Sequence, residues 1–233
     1  MIDYSNAFSF MFQDRDWTKK IFLGAVFTLP IAGFFVLYLL LANIGFPLSF
    51  LFLILMLGAS SFLLGYLLEL AKNASEGKEI PLPQWDNLGD KFMRGLVFLV
   101  IIIIYSIPAA ILSRLPCSAK CLGPLYSLAL LFVLPWITLR YASGGKFEDV
   151  FHFKEMFRFV QRNINSLIIV VLLSIALGIL ALFGILALVV GIFFTAFWAD
   201  LAIYYLYGKV YSEGKDEKGD ISDSAAELPP SAP

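Results

Sequence analysis

The chain has 233 residues, of which 60% are hydrophobic, 16% aromatic and 15% charged, with 17 Lys and Arg against 18 Asp and Glu. Soluble domains carry about 25% charged residues, and the mean hydropathy here is +0.83. This composition excludes a soluble enzyme domain, a disordered chain and a basic nucleic-acid binder. One His and two Cys leave almost no material for a metal centre or a disulfide scaffold, so neither a metal nor a cofactor is expected. A polytopic membrane protein remains, with the lipid bilayer as its first partner and no nucleic acid.

Four uncharged runs set the spans: Ile21–Leu68 (48 residues), Gly95–Ser113 (19), Leu122–Leu139 (18) and Ile164–Ala199 (36). A hydrocarbon core of about 30 Å takes roughly 20 residues of helix. The first run therefore folds into two spans, broken where Gly45 and Pro47 punctuate it. The fourth is also too long for one span, and Phe183-Gly184 is its best reversal point. The expected fold is all-α, a transmembrane helical domain over residues 1–211. Its spans lie near 21–42, 47–68, 95–113, 122–139, 164–182 and 185–207, forming three hairpins. Residues 212–233, rich in Ser, Gly, Asp, Glu and Pro, read as a disordered acidic tail.

Basic residues stay in cytoplasmic loops. With six spans, 15 of the 17 Lys and Arg fall on one side and only Arg114 and Lys120 on the other. Five spans would leave 12 against 5. The expectation is a multi-pass protein of the cell membrane with both termini cytoplasmic. The N-terminus does not read as a cleavable signal, because Asp14, Arg15 and Asp16 precede an apolar stretch longer than an h-region.

The cytoplasmic segments are long and amphipathic, like aprons hanging from each hairpin. Residues 4–17 place Tyr4, Ala7, Phe8, Met11 and Phe12 at helical spacing; 85–92 place Trp85, Leu88 and Phe92 on one face; and 147–164 do the same with Phe147, Val150, Phe151, Met156, Phe157, Val160 and Ile164. Such faces lie in the headgroup plane or pack under the bundle as a cap, and both readings stand. They are also the surfaces that membrane or cytoplasmic protein partners would meet; no oligomeric state is specified. Their net charges of 0, −1 and +2 fall short of the 4–8 clustered basic residues that anionic lipid recognition usually needs. A shift of 68 residues matches Gly77-Lys78 with Gly145-Lys146 and Arg94 with Arg162, a weak internal repeat.

The linker from Pro83 to Gly95 carries Pro83, Trp85, Asp86, Gly89, Phe92 and Gly95 in the pattern PxWDxxGxxFxxG. Pro81 and Pro83 stop a preceding helix, Trp85 suits the headgroup level, and Asp86 is placed to cap the next helix. The motif reads as an interfacial anchor, with a partner-docking site as the sharper alternative. It resembles a family of prokaryotic integral membrane proteins, domain of unknown function 4013. The Asp/Phe-rich start and the ending Tyr204-Tyr205-Leu206-Tyr207-Gly208-Lys209 look like that family too, so the resemblance covers residues 1–211. It implies a bundle of about six helices and no particular activity, cofactor or catalytic residue.

Asp200 is the first residue to consider for chemistry, because a carboxylate inside a span costs roughly 2.5–3.5 kcal/mol on insertion scales. Arg140 lies at a matching depth, with Glu69, Thr138, Asn163 and Asn165 toward the same interface; Asp200, Arg140, Glu69 and Asn165 are the candidate polar cluster, either a solute or proton site or structural glue. Cys117 and Cys121 flank a short external loop and are a candidate disulfide, with free thiols as the alternative. His152 and Glu155 lie one turn apart without a nucleophile, metal or phosphate cradle nearby. Tyr141-Ala142-Ser143-Gly144-Gly145 reads as a turn. Pro30, Pro108 and Pro135 kink spans, and Ser61/Gly65 and Ser174/Gly178 let helices approach closely.

No catalytic constellation emerges, and the expected role is a non-enzymatic structural, assembly or membrane-organising module. A transporter or permease-like component around Asp200 is the second reading, and a membrane enzyme acting on lipids the third. A reporter fused after Val210 should report cytoplasm; external reporter activity would refute the six-span topology.

Overall fold

The computed structural model describes residues 4–41, 46–114, 121–186 and 191–226. All its regular structure is helical: α1 (Asn6–Ser9), α2 (Trp17–Leu41), α3 (Phe46–Ser75), α4 (Leu88–Leu112), α5 (Leu122–Ala142), α6 (Phe153–Arg162), α7 (Ile164–Leu182) and α8 (Gly191–Ala226), with 3₁₀ turns at Phe10–Gln13, Phe147–Phe151 and Phe183–Leu186. The last turn falls at the expected reversal. There Gly184 packs so closely on α8 that an added methyl would strike Thr195 Oγ1, and Thr195 Oγ1 donates across the hairpin to the Ala181 carbonyl at 2.8 Å.

Among the described residues, five helices are long and apolar enough to cross a membrane: α2, α3, α4, α5 and α7. The sixth expected span, 185–207, corresponds to the first part of α8, which is not among them. Asp200 and three tyrosines at 204, 205 and 207 dilute its hydropathy. α8 nevertheless packs along α3, α7, α2 and α5, as a member of the bundle. Its backbone stays helical to Ala226, beyond residue 212 where composition predicts disorder. The helices also begin and end outside the uncharged runs. α3 runs on to Ser75 and α4 starts at Leu88, since charges at an interface end a hydrocarbon span without ending a helix. Pro30, Pro108 and Pro135 are accommodated inside α2, α4 and α5.

The core is not centred along the bundle. Buried residues crowd the end that bears the aprons: Lys20 to Ala25 of α2, Leu63 to Ala74 of α3, Pro135 to Ala142 of α5, and Leu201 to Tyr211 of α8. Toward the other end large apolar side chains point outward, among them Leu40 (64% exposed), Ile111 (60%) and Leu172 (61%). In water such a collar would be an association surface; against lipid tails there is no drive to bury it. The core forms where polar aprons and helix ends meet.

Helices α3 and α4 make the closest contact. A methyl added at Gly95 would strike the Ser61 carbonyl oxygen, and one at Gly65 would strike the Lys91 carbonyl. The pair Ser61/Gly65 thus serves packing inside the bundle. Ser174/Gly178 does not, since Gly178 has open space around it. The repeat shifted by 68 is not matched in conformation: the left-handed glycines two residues beyond α3 and α5 are Gly77 and Gly144, not Gly145. Gly95→Ala should lower the thermal unfolding midpoint in detergent, at a cost of about 1–3 kcal/mol from overpacking. Gly58→Ala, with nothing within 4 Å of the new methyl, should be neutral or gain up to about 1 kcal/mol of helix propensity.

Candidate functional site

The linker motif is strapped across the ends of α2 and α3. Pro81, Leu82 and Pro83 are buried without regular structure, so their carbonyls need donors. Three side chains supply them: Asn73 Nδ2 to Pro81 O at 3.0 Å, Lys20 Nζ to Leu82 O at 3.1 Å and Tyr66 Oη to Pro83 O at 3.0 Å. Lys20 is itself only 3% exposed and pairs with buried Asp14 at 2.5 Å. Trp85 stacks between Tyr66 (centroids 4.2 Å apart) and Phe27 (4.8 Å), and its Nε1–H donates to the Lys20 carbonyl at 3.0 Å. Phe92 packs on Phe62 at 4.8 Å. Gly89 has open space around it, whereas Gly95 sets the α3–α4 approach.

Asp86, placed by sequence to cap α4, does something else. The N-cap position is Asn87, in the left-handed region at φ 46°, with no side-chain cap bond. Asp86 instead joins Glu69 around the buried Lys91 ammonium, at 3.1 and 2.8 Å. An ammonium brought under a helix bundle needs carboxylates more than a helix end needs a cap. The hydrogen bond and charge of Lys91 hold the Asp86 carboxyl below the ordinary carboxylate range. The pair therefore adds stability above that range and loses it as pH falls through the lowered value.

The four polar residues expected to cluster are distributed among separate contacts. Glu69 belongs to Lys91. Arg140 faces Glu155 of α6 at 3.6 Å, so Glu155 pairs with Arg140, while exposed His152 bonds through Nδ1 to the Asp149 carbonyl at 3.0 Å. Asn165 is exposed on α7; its neighbour Asn163 is the buried one, donating to the Phe159 carbonyl at 2.9 Å. Asp200 has no cation within ion-pairing distance among the described residues. Cys121 is exposed, and Cys117 lies outside the described residues, as does Lys120. Ser143 and Gly144 close the turn after α5 through bonds to the Leu139 and Tyr141 carbonyls.

The aprons pack against the bundle in part and leave apolar side chains exposed in part. In the first, Ala7, Phe10 and Met11 are buried, and Phe10 stacks on Tyr205 of α8 at 4.3 Å. In the third, Val150 is buried and its carbonyl accepts from Tyr105 Oη of α4 at 2.6 Å. Met156, Phe159 and Val160 pack on the core, whereas Phe153 (59%) and Phe157 (62%) are exposed along one edge of α6.

A cavity of about 250 Å³ opens between α5, α6 and α8, lined by Trp136, Arg140, Glu155, Arg158, Arg162 and Tyr211 among others. Glu155, Arg158, Phe159 and Arg162 follow the i, i+3, i+4, i+7 spacing of one helical face, and α6 turns that face toward Arg140. Among the described residues, Arg140 Nε is buried with no hydrogen-bond partner, and so is Thr138 Oγ1 two residues before it. Burial pushes the Tyr211 phenol up, and the adjacent Arg140 opposes that shift. Sequence reasoning missed this site: it took the net +2 of the apron as too small a charge. The available signal was Arg158 and Arg162 four residues apart in a helix whose other face is apolar.

Lys20→Met should cost about 3–5 kcal/mol, because it strands buried Asp14 without a cation. Combining it with Asp14→Asn should restore part of that loss, and Lys19→Met, in an exposed pair with Asp16, should leave the unfolding midpoint unchanged.

A model of the proteins of unknown function grouped as DUF4013 matches residues 48–190. That is more than half of the chain and holds both the linker motif and the third apron, but neither the Asp/Phe-rich start nor the 204–209 ending. No curated protein and no solved structure matches the chain. The chain belongs to the DUF4013 family.

Proposed function

We propose that the chain is a multi-pass protein of the cell membrane, with both termini and all three aprons in the cytoplasm. We further propose that it works as a non-enzymatic structural, assembly or membrane-organising module. The observation that carries this reading is the asymmetry of burial: a tightly packed apron end beneath a collar of outward-facing Leu, Ile and Phe side chains. Lipid tails are the solvent such a collar fits. The 15-to-2 division of Lys and Arg favours the apron end as the cytoplasmic one.

The non-enzymatic part rests on how the acids are used. Asp14, Glu69, Asp86 and Glu155 are each paired with a cation of the protein. The cavity described above converges on Arg140 and not on Asp200, which favours the module over a transporter built on that carboxylate. Full-length protein should stay in the membrane pellet after an alkaline carbonate wash, and release into the supernatant would refute membrane integration. Asp200→Asn should fold and support cellular function as the parent does. Loss of function with folding intact would favour transport instead.

A further inference from the structure

We propose that the cavity between α5, α6 and α8 is a binding site for a phosphate group, offered either by an anionic lipid headgroup or by a free phosphate. Arg140 of α5 and the exposed Arg158 and Arg162 of α6 line about 250 Å³ of space, against one lining carboxylate among the described residues, Glu155. Guanidinium forks match phosphate oxygens in geometry, and several in one pocket neutralise a charge that a single lysine would only attract.

The cavity is built for a ligand smaller than the drug-sized molecules that fill roughly 300–1,000 Å³. Arg140, which lines the cavity, keeps one donor, Nε–H, buried without a partner among the described residues, so its hydrogen-bonding capacity is not fully spent within the protein. Trp136 and Tyr211 wall the same space with flat apolar surface and a phenol. Glu155, 3.6 Å from Arg140 and half exposed, holds that arginine in place and competes with an anion for it.

The position fits a headgroup as well. The site lies at the end of α5 and the start of α7, where the apolar runs meet charge, and the neighbouring α6 carries Phe153 and Phe157 outward. Basic pockets between spans at that level hold phosphate-bearing headgroups. The lipid source rests on the membrane reading above, whereas the free-phosphate source does not.

The test uses the full-length protein in a neutral maltoside detergent, titrated separately with inorganic phosphate and with dihexanoyl phosphatidic acid while its tryptophan fluorescence is followed. The parent should bind at least one probe saturably, and Arg158→Gln with Arg162→Gln should weaken that binding tenfold or more. Glu155→Gln should tighten it severalfold, which a misfolded variant could not do. Lys19→Gln with Lys146→Gln removes the same two charges from exposed positions that do not line the cavity and should leave binding unchanged. Binding of phosphate alone assigns a soluble ligand; binding of the lipid, with or without phosphate, assigns the headgroup. No saturable binding of either probe, or an equal loss in the Lys19→Gln, Lys146→Gln variant, would overturn the site. Because the readout is made in detergent, a negative result here stands apart from the carbonate result on membrane integration.

Discussion

The rest of the structure depends on satisfying the carbonyls of a buried, non-helical linker. A chain leaving α3 and entering α4 must cross beneath the bundle, and Pro81 and Pro83 forbid it from doing so as helix. Its carbonyls at 81, 82 and 83 are met by Asn73, Lys20 and Tyr66, side chains from two helices. Once those bonds are made, the start of α4 is fixed against the end of α3, and the Gly65–Gly95 approach follows. Lys20 ties the first apron into the same arrangement through Asp14, so one ammonium holds the N-terminal segment, α2 and the linker together.

This arrangement also explains where the core lies. Soluble proteins draw their cores together by removing apolar surface from water. Within hydrocarbon that drive vanishes, and helices associate through close backbone approach and polar contacts. The apron end has both, in Gly65, Gly95 and Gly208 and in the Lys91 and Lys20 ion pairs. The far half has fewer such contacts, at Gly123 and Gly184, and turns many Leu, Ile and Phe side chains outward.

The arginine cavity follows from the same geometry. α6 must lie under α5 and α8 to bury Met156, Phe159 and Val160. With that face fixed, about a third of a turn away the helix carries Arg158 and Arg162 to the cavity that Arg140 also lines. Packing the apolar face of an amphipathic apron thus assembles cations from parts of the chain about 20 residues apart. Charge that is modest when summed along the apron becomes dense when gathered around one cavity.

How much of this was legible in the sequence depends on whether a property is local. Run lengths and charges, read along one dimension, determined an all-helical chain with hydrocarbon-length spans and a reversal at Phe183-Gly184. They also located Gly65 and the Pro83–Gly95 motif as special. Counting residues from the end of a span gives depth, which is why Asp200, Arg140, Glu69 and Asn165 were all placed toward one interface. Depth is not azimuth. Which way each helix turns about its own axis is set by contacts such as Lys20 with Leu82, 62 positions apart. Only the tertiary structure therefore decided that Glu69 meets Lys91, that Arg140 meets Glu155, and that three arginines share a wall.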